Sequence, residues 1–184
     1  MPVTSTIKRI IISRPDAIGD VILTLPLCGL IKKHLPDTHI VFLGKTYTQE
    51  IINCCEYVDE FINADALLKL NDNDASEELK KYNADAIIHV FPDKRIATLA
   101  KKAKIKLRVG TTNRAFHWTT VNKLVPLSRK NSPLHESQLN CKLLEGIGIY
   151  DIPALNEIHR YSGLTKIAAL SSSLNSLMDR NISP

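Results

Sequence analysis

Short apolar runs rich in β-branched residues alternate with longer amphipathic segments, and this alternation most limits the folds open to the chain. The runs 7–13 (IKRIIIS), 38–44 (THIVFLG) and 84–92 (ADAIIHVFP) are apolar on both faces, as strands buried in a parallel sheet are. Shorter runs at 58–64 and 106–110 predict two more strands. Because right-handed crossovers place helices on both faces of such a sheet, the pattern predicts an α/β fold with a doubly wound, Rossmann-like parallel sheet.

The segments between these strands predict helices. Residues 20–36 carry Lys32 and Lys33 near their end, where cations suit the helix dipole, and we expect a kink at Pro26. Further helices are expected at 46–55, 71–83, 93–105 and 134–149, and one more apolar-periodic segment lies at 164–178. Residues 111–134 lack a clean period and are interpreted as a functional loop region with one short strand at NKLVPL.

The amino-acid composition limits the classes of protein to which this chain can belong. The 184 residues are 44% hydrophobic, which suffices for one core and a tail. No apolar stretch reaches the length of a membrane-spanning helix, and the start lacks the organisation of a signal peptide, which predicts a cytoplasmic chain. Cys28, Cys54, Cys55 and Cys141 fit no CxxC spacing and no Cys/His ligand pattern. A cytosolic chain keeps such thiols reduced, so we expect free, mostly buried thiols and no metal site.

Charge is unevenly distributed along the chain, although the formal net charge is only +5. Residues 56–92 hold nine acidic and three basic side chains, whereas residues 93–130 hold eleven basic side chains and one acidic one. Clustered positive charge concentrates anions, so we expect a partner with phosphate or carboxylate groups. A nucleic acid is not favoured, because the basic segment lacks a recognised binding motif and interleaved aromatic residues.

Ligands of doubly wound sheets bind at the carboxyl ends of the strands, near the point where the strand order reverses. The loops expected there are 14–20 (RPDAIGD), 91–95 (FPDKR) and 110–118 (GTTNRAFHW). The first loop contains neither GxGxxG nor GxxxxGK[ST], so the usual nucleotide fingerprints are absent. It offers Gly19, where backbone can approach a ligand closely, followed by Asp20 at the start of a helix.

Two roles are open to Asp20. A carboxylate at a helix N-terminus commonly caps or charges that helix, which is worth roughly 0.5 to 2 kcal/mol. Alternatively, Asp20 is a general base at the edge of the sheet that takes a proton from an acceptor hydroxyl. The local sequence alone favours the cap, and it leaves Asp16 as a loop residue.

Residues 10–44 resemble the opening of the ADP-heptose:lipopolysaccharide heptosyltransferases, glycosyltransferase family 9. In that family an apolar strand leads to a loop ending Ile-Gly-Asp, then to Val-x-x-Thr-x-Pro and a helix ending near Pro. The matching residues are Ile18, Gly19, Asp20, Val21, Thr24, Pro26, Leu35 and Pro36. Residues 83–110 and 134–149 are similar to two later blocks of the family. The chain has HVFP at 89–92 where many members read Asp-x-Gln-Gly, and Arg95 stands where members often carry Lys.

The resemblance implies a GT-B fold, in which two Rossmann-like domains face each other across a cleft. Residues 1–160 would form the N-terminal, acceptor-binding domain, and residues 161–184 a linker helix toward a C-terminal domain that binds the nucleotide-sugar donor. The implied activity is inverting transfer of a heptose or similar sugar from an ADP-heptose-like donor to a lipopolysaccharide core acceptor, without a metal or other cofactor. The chain alone is expected to be inactive.

Asp20 aligns with the catalytic base proposed for the family, and this reverses the local preference for a cap. The predicted substrate-binding residues are Gly19, Thr24, Lys94, Arg95, Arg114 and His117, with Arg129 and Lys130 as further members of a basic rim. Arginine pairs bidentately with phosphate and carboxylate groups, and lysine supplies a point charge. The implied partner is an anionic glycolipid at the inner membrane face, which predicts a cytoplasmic protein with a peripheral membrane position.

Several residues stay ambiguous, and one alternative function stays open. His89 ends a buried strand and is interpreted as a core histidine, whereas Phe116 and Trp118 either contact a sugar or anchor their loop.

The alternative function is a non-catalytic nucleotide- or anion-binding module, in which Gly19 and the helix N-terminus hold a phosphate. Asp20 argues against this module because a carboxylate repels the anion.

Overall fold

The computed structural model describes residues 7–128, 130 and 132–166, and the predicted parallel sheet is present in them. Its strands are β1 (Arg9–Ser13), β2 (His39–Gly44), β3 (Glu60–Asn63), β4 (Ala86–His89), β5 (Leu107–Thr111) and β6 (Lys123–Val125). They lie in the order β3-β2-β1-β4-β5-β6, and each neighbouring pair is parallel. The order reverses between β1 and β4, so the carboxyl ends of these two strands form the switch point of the sheet.

Helices cover both faces of this sheet. They are α1 (Ile18–Ile22), α2 (Leu25–His34), α3 (Gln49–Asn53), α4 (Ala64–Leu67), α5 (Asp72–Lys81), α6 (Lys94–Lys102), α7 (His117–Thr120) and α8 (Glu136–Lys142). Short 3₁₀ segments occupy Thr46–Thr48, Leu143–Ile147 and Ile158–Tyr161. The architecture is therefore a three-layer α/β/α sandwich of the Rossmann-like kind, as the sequence predicts.

Alternate residues of the central strand point to opposite layers, because successive strand side chains project to opposite faces. Ile10 and Ile12 pack in a core with residues of α2 and α8. Ile11 packs in a second core with residues of α5 and α6. All four cysteines are free thiols, and three of them are buried, which agrees with the expectation.

The first predicted helix is two helices in the structure. The break between α1 and α2 lies at Leu23–Thr24, ahead of the kink expected at Pro26. Pro26 instead occupies the first turn of α2, where its missing N–H removes no helical hydrogen bond. The predicted loop region 111–134 contains the expected short strand as β6, but it also contains the short helix α7, which its irregular pattern did not indicate.

The C-terminal part of the described chain packs onto the domain. The 3₁₀ segment Ile158–Tyr161 lies against α2, where a Cβ atom on Gly29 would overlap the Tyr161 backbone. Leu164 pairs with Cys55 in an isolated β-bridge. The predicted linker helix lies outside the described residues from position 167 onward. No helix of the described residues is both long and apolar enough to cross a membrane.

Candidate active site

Asp20 lies in the first turn of α1, just beyond the carboxyl end of β1. The N-cap of α1 is Ala17, and no side chain makes a capping hydrogen bond at this end of the helix. The Asp20 carboxylate instead binds the Arg14 guanidinium, with 2.6 Å between Oδ1 and Nη2. Its side chain is 37% exposed. The structure therefore removes the capping interpretation. Asp20 still lies in the first turn of α1, where its charge suits the helix dipole, and its carboxylate is partly exposed beside the switch point.

Arg14 is a buried cation among three carboxylates. It follows β1 directly, its side chain is only 4% exposed, and its Nη2 lies 3.5 Å from an Asp16 oxygen as well as 2.6 Å from Asp20. Its Nη1 lies 3.9 Å from a Glu136 oxygen in the first turn of α8. A buried charge must be paired, so Arg14 organises this cluster. Arg14 is not among the site residues predicted from the sequence, although an arginine directly after an apolar strand is an available signal.

Unpaired buried polar atoms concentrate at the same edge of the sheet. Within the described part of the chain, the buried side-chain atoms that lack a hydrogen-bond partner are Ser13 Oγ, Arg14 Nε, both ring nitrogens of His89, His117 Nε2 and Asn140 Oδ1. Ser13 and His89 are register partners at the ends of β1 and β4. Buried polar groups are nearly always hydrogen-bonded. The unpartnered atoms therefore lie at the carboxyl edge of the sheet, whereas buried polar side-chain atoms elsewhere in the described residues have hydrogen-bond partners.

His89 and His117 form a buried pair with ring centroids 5.9 Å apart. Burial, with a smaller contribution from His117, lowers the pKa of His89 from 6.5 to about 3, which agrees with the predicted core histidine. Burial also lowers the pKa of His117, whose Nδ1 lies 3.0 Å from the Thr111 amide nitrogen. His117 is fully buried, so its position does not favour the predicted contact with substrate.

Thr24 and Gly19 differ in what they offer a ligand. Thr24 is buried, and its hydroxyl donates to the Asp20 carbonyl at 2.8 Å and accepts from Asn140 Nδ2 at 3.3 Å, so it links α1 to α8. Gly19 is exposed, and a Cβ added to it would have no neighbour within 4 Å. The fold therefore does not require a glycine at position 19, which is compatible with the predicted close approach of a ligand.

Arg95 and Lys94 begin α6. The Arg95 guanidinium binds an Asp72 oxygen at 3.0 Å and the carbonyl oxygens of Leu68 and Leu70 at 2.6 Å each. These contacts hold α6 against the segment between α4 and α5 and do not favour the predicted substrate contact of Arg95. Lys94 is exposed at the first position of α6.

Arg114 and Lys130 share a cavity of about 300 Å³ beyond the carboxyl ends of β5 and β6. Both residues are exposed. The other lining residues are Thr111, Asn113, Leu127 and Ser128. Two cations and several hydroxyl and amide groups form a lining that suits a phosphate or carboxylate. Arg129, the third predicted basic residue of this segment, lies outside the described residues.

The part of the chain that the structure describes offers no group of three or more His, Cys, Asp or Glu side chains that could hold a metal ion. The edge of the sheet holds a half-exposed carboxylate on a buried cation and, separately, a cationic cavity beyond the far strands. Such a pair of sites suits proton transfer at one point and anion recognition at another.

Comparison with known proteins relates this chain to glycosyltransferases. No protein-family model matches it. A Haemophilus influenzae protein provisionally named a glycosyltransferase is 24% identical over 140 residues, which are 74% of this chain and 40% of that protein. A glycosyl transferase family 9 structure from Veillonella parvula DSM 2008 has a TM-score of 0.66 and 25% identity, and the match covers 79% of this chain and 42% of the other.

Two Escherichia coli structures share the fold at lower identity. Heptosyltransferase WaaC, solved with ADP-2-deoxy-2-fluoro heptose, has a TM-score of 0.66 and 16% identity, and the match covers 83% of this chain and 53% of WaaC. ADP-heptose LPS heptosyltransferase II has a TM-score of 0.65 and 16% identity, with 95% and 50% covered. The similarity to family 9 heptosyltransferases is thus confirmed, and the six-stranded sheet matches half of a GT-B fold. The chain spans about half the length of these proteins.

Proposed function

We propose that this chain is the acceptor-binding half of an inverting glycosyltransferase. It would serve the transfer of a heptose or similar sugar from a nucleotide-sugar donor to an anionic lipopolysaccharide core acceptor. The donor would bind to a second domain, as implied by the length of the related proteins. One observation carries the proposal: Asp20, which matches the family's Ile-Gly-Asp motif, stands half-exposed at the switch point and is oriented by a buried arginine rather than by a helix cap.

The geometry of Asp20 suits a general base. Oδ1 is held by Arg14, whereas Oδ2 makes no hydrogen bond to any described residue, so Oδ2 is the atom that can take a proton. The acceptor hydroxyl gives its proton to Oδ2, and its oxygen forms a bond to the anomeric carbon of the donor sugar. The bond from that carbon to the diphosphate oxygen breaks, and the nucleoside diphosphate leaves with the electron pair. Attack opposite the leaving group inverts the anomeric centre.

The cluster around Arg14 is suited to a base that must gain and lose a proton. A base with a single cationic partner would leave that buried cation unpaired when protonated, at considerable cost. Arg14 also lies near Asp16 and Glu136, at 3.5 and 3.9 Å. When Asp20 is neutral, these two carboxylates still balance the guanidinium. The buried cation can therefore orient Asp20 through both protonation states.

The Arg114 and Lys130 cavity supplies the contact with anionic groups of the acceptor. A peripheral position at the cytoplasmic membrane face follows from the same proposal, because the glycolipid is anchored there. Replacing Arg114 and Lys130 together by Gln should weaken binding of a phosphorylated core oligosaccharide roughly 10- to 100-fold, since charged hydrogen bonds are lost. Isothermal titration calorimetry on the isolated chain measures the change.

The matched control is Lys106→Gln. Lys106 belongs to the same basic segment and is exposed, but it precedes β5 at the opposite edge of the sheet. The double variant removes two positive charges and Lys106→Gln removes one, so a loss of binding free energy in Lys106→Gln that is half that of the double variant or more would indicate attraction by net charge rather than a site. Tight binding of ADP together with no binding of the oligosaccharide would refute the acceptor role and favour the nucleotide-binding module.

A further inference from the structure

Three exposed hydrophobic side chains follow strand ends at the edge of the sheet that carries Asp20. Among the described residues, the large hydrophobic side chains that are exposed are Ile18, Tyr47, Leu70, Trp118, Tyr150 and Leu155. Ile18, Tyr47 and Trp118 follow the carboxyl ends of β1, β2 and β5, respectively. Ile18 is 42% exposed and stands two residues before Asp20, and Tyr47 is 55% exposed. Apolar surface held in water beside a reactive carboxylate is typical of ligand sites.

The exposed ring of Tyr47 is held in a defined position. Its hydroxyl donates to the Asp16 carbonyl at 3.1 Å, which ties the 3₁₀ segment after β2 to the loop that leads into α1 and Asp20. The backbone on either side is also fixed. The Thr46 amide and hydroxyl bind Asp65 at 2.9 and 2.8 Å, and the buried Thr48 hydroxyl binds the Lys45 carbonyl at 2.8 Å. The ring is therefore ordered before any ligand arrives, so binding to it costs little conformational entropy.

Resting on the proposed function, we propose that Tyr47 and Ile18 form a sugar-binding subsite of the acceptor, with the Tyr47 ring as its platform. A pyranose ring has one face lined by C–H groups, which packs on an aromatic ring, while its hydroxyls stay in water or bind polar groups. Asp16, which accepts the Tyr47 hydroxyl, lies next to Arg14, and Arg14 binds Asp20. The subsite therefore orients the sugar that presents its hydroxyl to Asp20.

This subsite differs in chemistry from the cationic cavity. The Tyr47 hydroxyl binds the backbone of Asp16, and Ile18 stands between Asp16 and Asp20 in the sequence. Arg14 with its three carboxylates carries a net negative charge when all three are ionised. An anionic group is disfavoured there by repulsion. The occupant of the subsite is accordingly an uncharged sugar ring, and the acceptor's phosphate or carboxylate groups belong at the Arg114 and Lys130 cavity. Tyr47 thus selects for sugar shape and the cavity selects for charge.

The test measures oligosaccharide binding to the isolated chain by titration calorimetry. The probe is the core oligosaccharide after removal of its phosphates, so that the phosphate charge does not contribute. We expect Tyr47→Ala to weaken binding about tenfold, whereas Tyr47→Phe, which keeps the ring, stays within about threefold of the unaltered chain. The control is Tyr150→Ala, which removes an exposed aromatic ring outside these loops and should leave binding unchanged. The thermal unfolding midpoint of each variant reports any purely structural effect.

The outcomes separate this proposal from the one on which it rests. Unchanged binding by Tyr47→Ala would refute the subsite alone, as would equal weakening by Tyr47→Phe and Tyr47→Ala, because the hydroxyl would then carry the effect. Weakening that matches a loss of folded protein would assign Tyr47 to loop structure and also refute the subsite. Failure of the unaltered chain to bind either the phosphorylated or the dephosphorylated oligosaccharide would refute the proposed function itself.

Discussion

Replacing Asp20 by Asn is expected to lower the rate of sugar transfer roughly 10²- to 10⁴-fold in a protein that joins this chain to its donor domain, as loss of a general base does. Asn keeps the size of the side chain and can still accept a hydrogen bond from Arg14, but it cannot take a proton from the acceptor hydroxyl. The free energy of unfolding should change little, because Asp16 and Glu136 continue to balance the buried guanidinium. Initial rates at saturating donor and acceptor measure the loss.

Asp16→Asn is the matched control. It removes one negative charge that also lies near Arg14, so it reproduces the electrostatic change of Asp20→Asn without removing the proposed base. We expect it to retain transfer within about tenfold. Equal losses in the two variants would assign the effect to the charge of the cluster, and undiminished transfer by Asp20→Asn would exclude Asp20 as the base. Under the proposed function the 184-residue chain alone should transfer no sugar, because the donor would bind to a second domain.

Acidification should destabilise the fold through His89. Burial, with His117, depresses the pKa of His89 from 6.5 to about 3, so the folded protein keeps this imidazole neutral. Below about pH 6.5 the unfolded chain takes up a proton that the folded chain excludes, and the free energy of unfolding falls as the pH falls toward 3. The full shift corresponds to about 5 kcal/mol, a large part of the stability of an ordinary domain.

The variant His89→Leu tests this directly. Leucine removes two ring nitrogens that have no partner among the described residues and does not titrate, so the loss of stability between pH 6.5 and 4 should become much shallower. Urea unfolding at several pH values measures this loss as the change in the free energy of unfolding. The control His159→Gln removes an exposed histidine, and its free energy of unfolding should depend on pH as that of the parent chain does. Parallel profiles for His89→Leu and the parent chain would show that His89 does not resist protonation.

Other groups contribute to the acid profile, but they do not obscure the comparison. Hydrogen bonds from Lys33 and His34 lower the pKa of Asp151, so that carboxylate adds stability that is lost only as the pH falls below its ordinary range. This contribution of Asp151 is present in the parent chain and in both variants. The difference between the His89→Leu and parent profiles therefore isolates the buried imidazole. His117 adds a further loss of the same sign, since burial lowers its pKa too.

Most of the fold could be predicted because its signals are local. Runs such as 38–44 and 84–92 are apolar on both faces, and only a strand covered by helices on both sides buries both. The predictions were wrong in segments whose structure is set by tertiary contacts rather than by the periodicity of their own hydrophobic residues. Residues 20–36 divide at Thr24, whose hydroxyl bonds to the Asp20 carbonyl and to Asn140 from a distant helix. The helix α7 is a single turn and therefore too short to show a period.

The candidate site was predicted less completely than the fold. The position of Asp20 follows from the end of β1 and the family motif, and Arg114 and Lys130 follow from charge. Arg95 shares that charge but is bound by Asp72 and two carbonyl groups, a difference that basic composition does not reveal. Tyr47 falls inside the helix predicted at 46–55, and its sequence position does not reveal that its ring is exposed.

The sequence by itself determined the parallel sheet, the edge at which we propose that a ligand binds and the carboxylate at that edge, because alternation of hydrophobicity and the βαβ crossover rule operate on neighbouring elements of the chain. Only the tertiary structure decided what surrounds that carboxylate. Arg14 contacts Glu136, and Asn140 contacts Thr24, across more than a hundred residues of chain. Such pairings depend on how the layers pack, and burial and charge balance, which set the chemistry of Asp20, exist only after that packing.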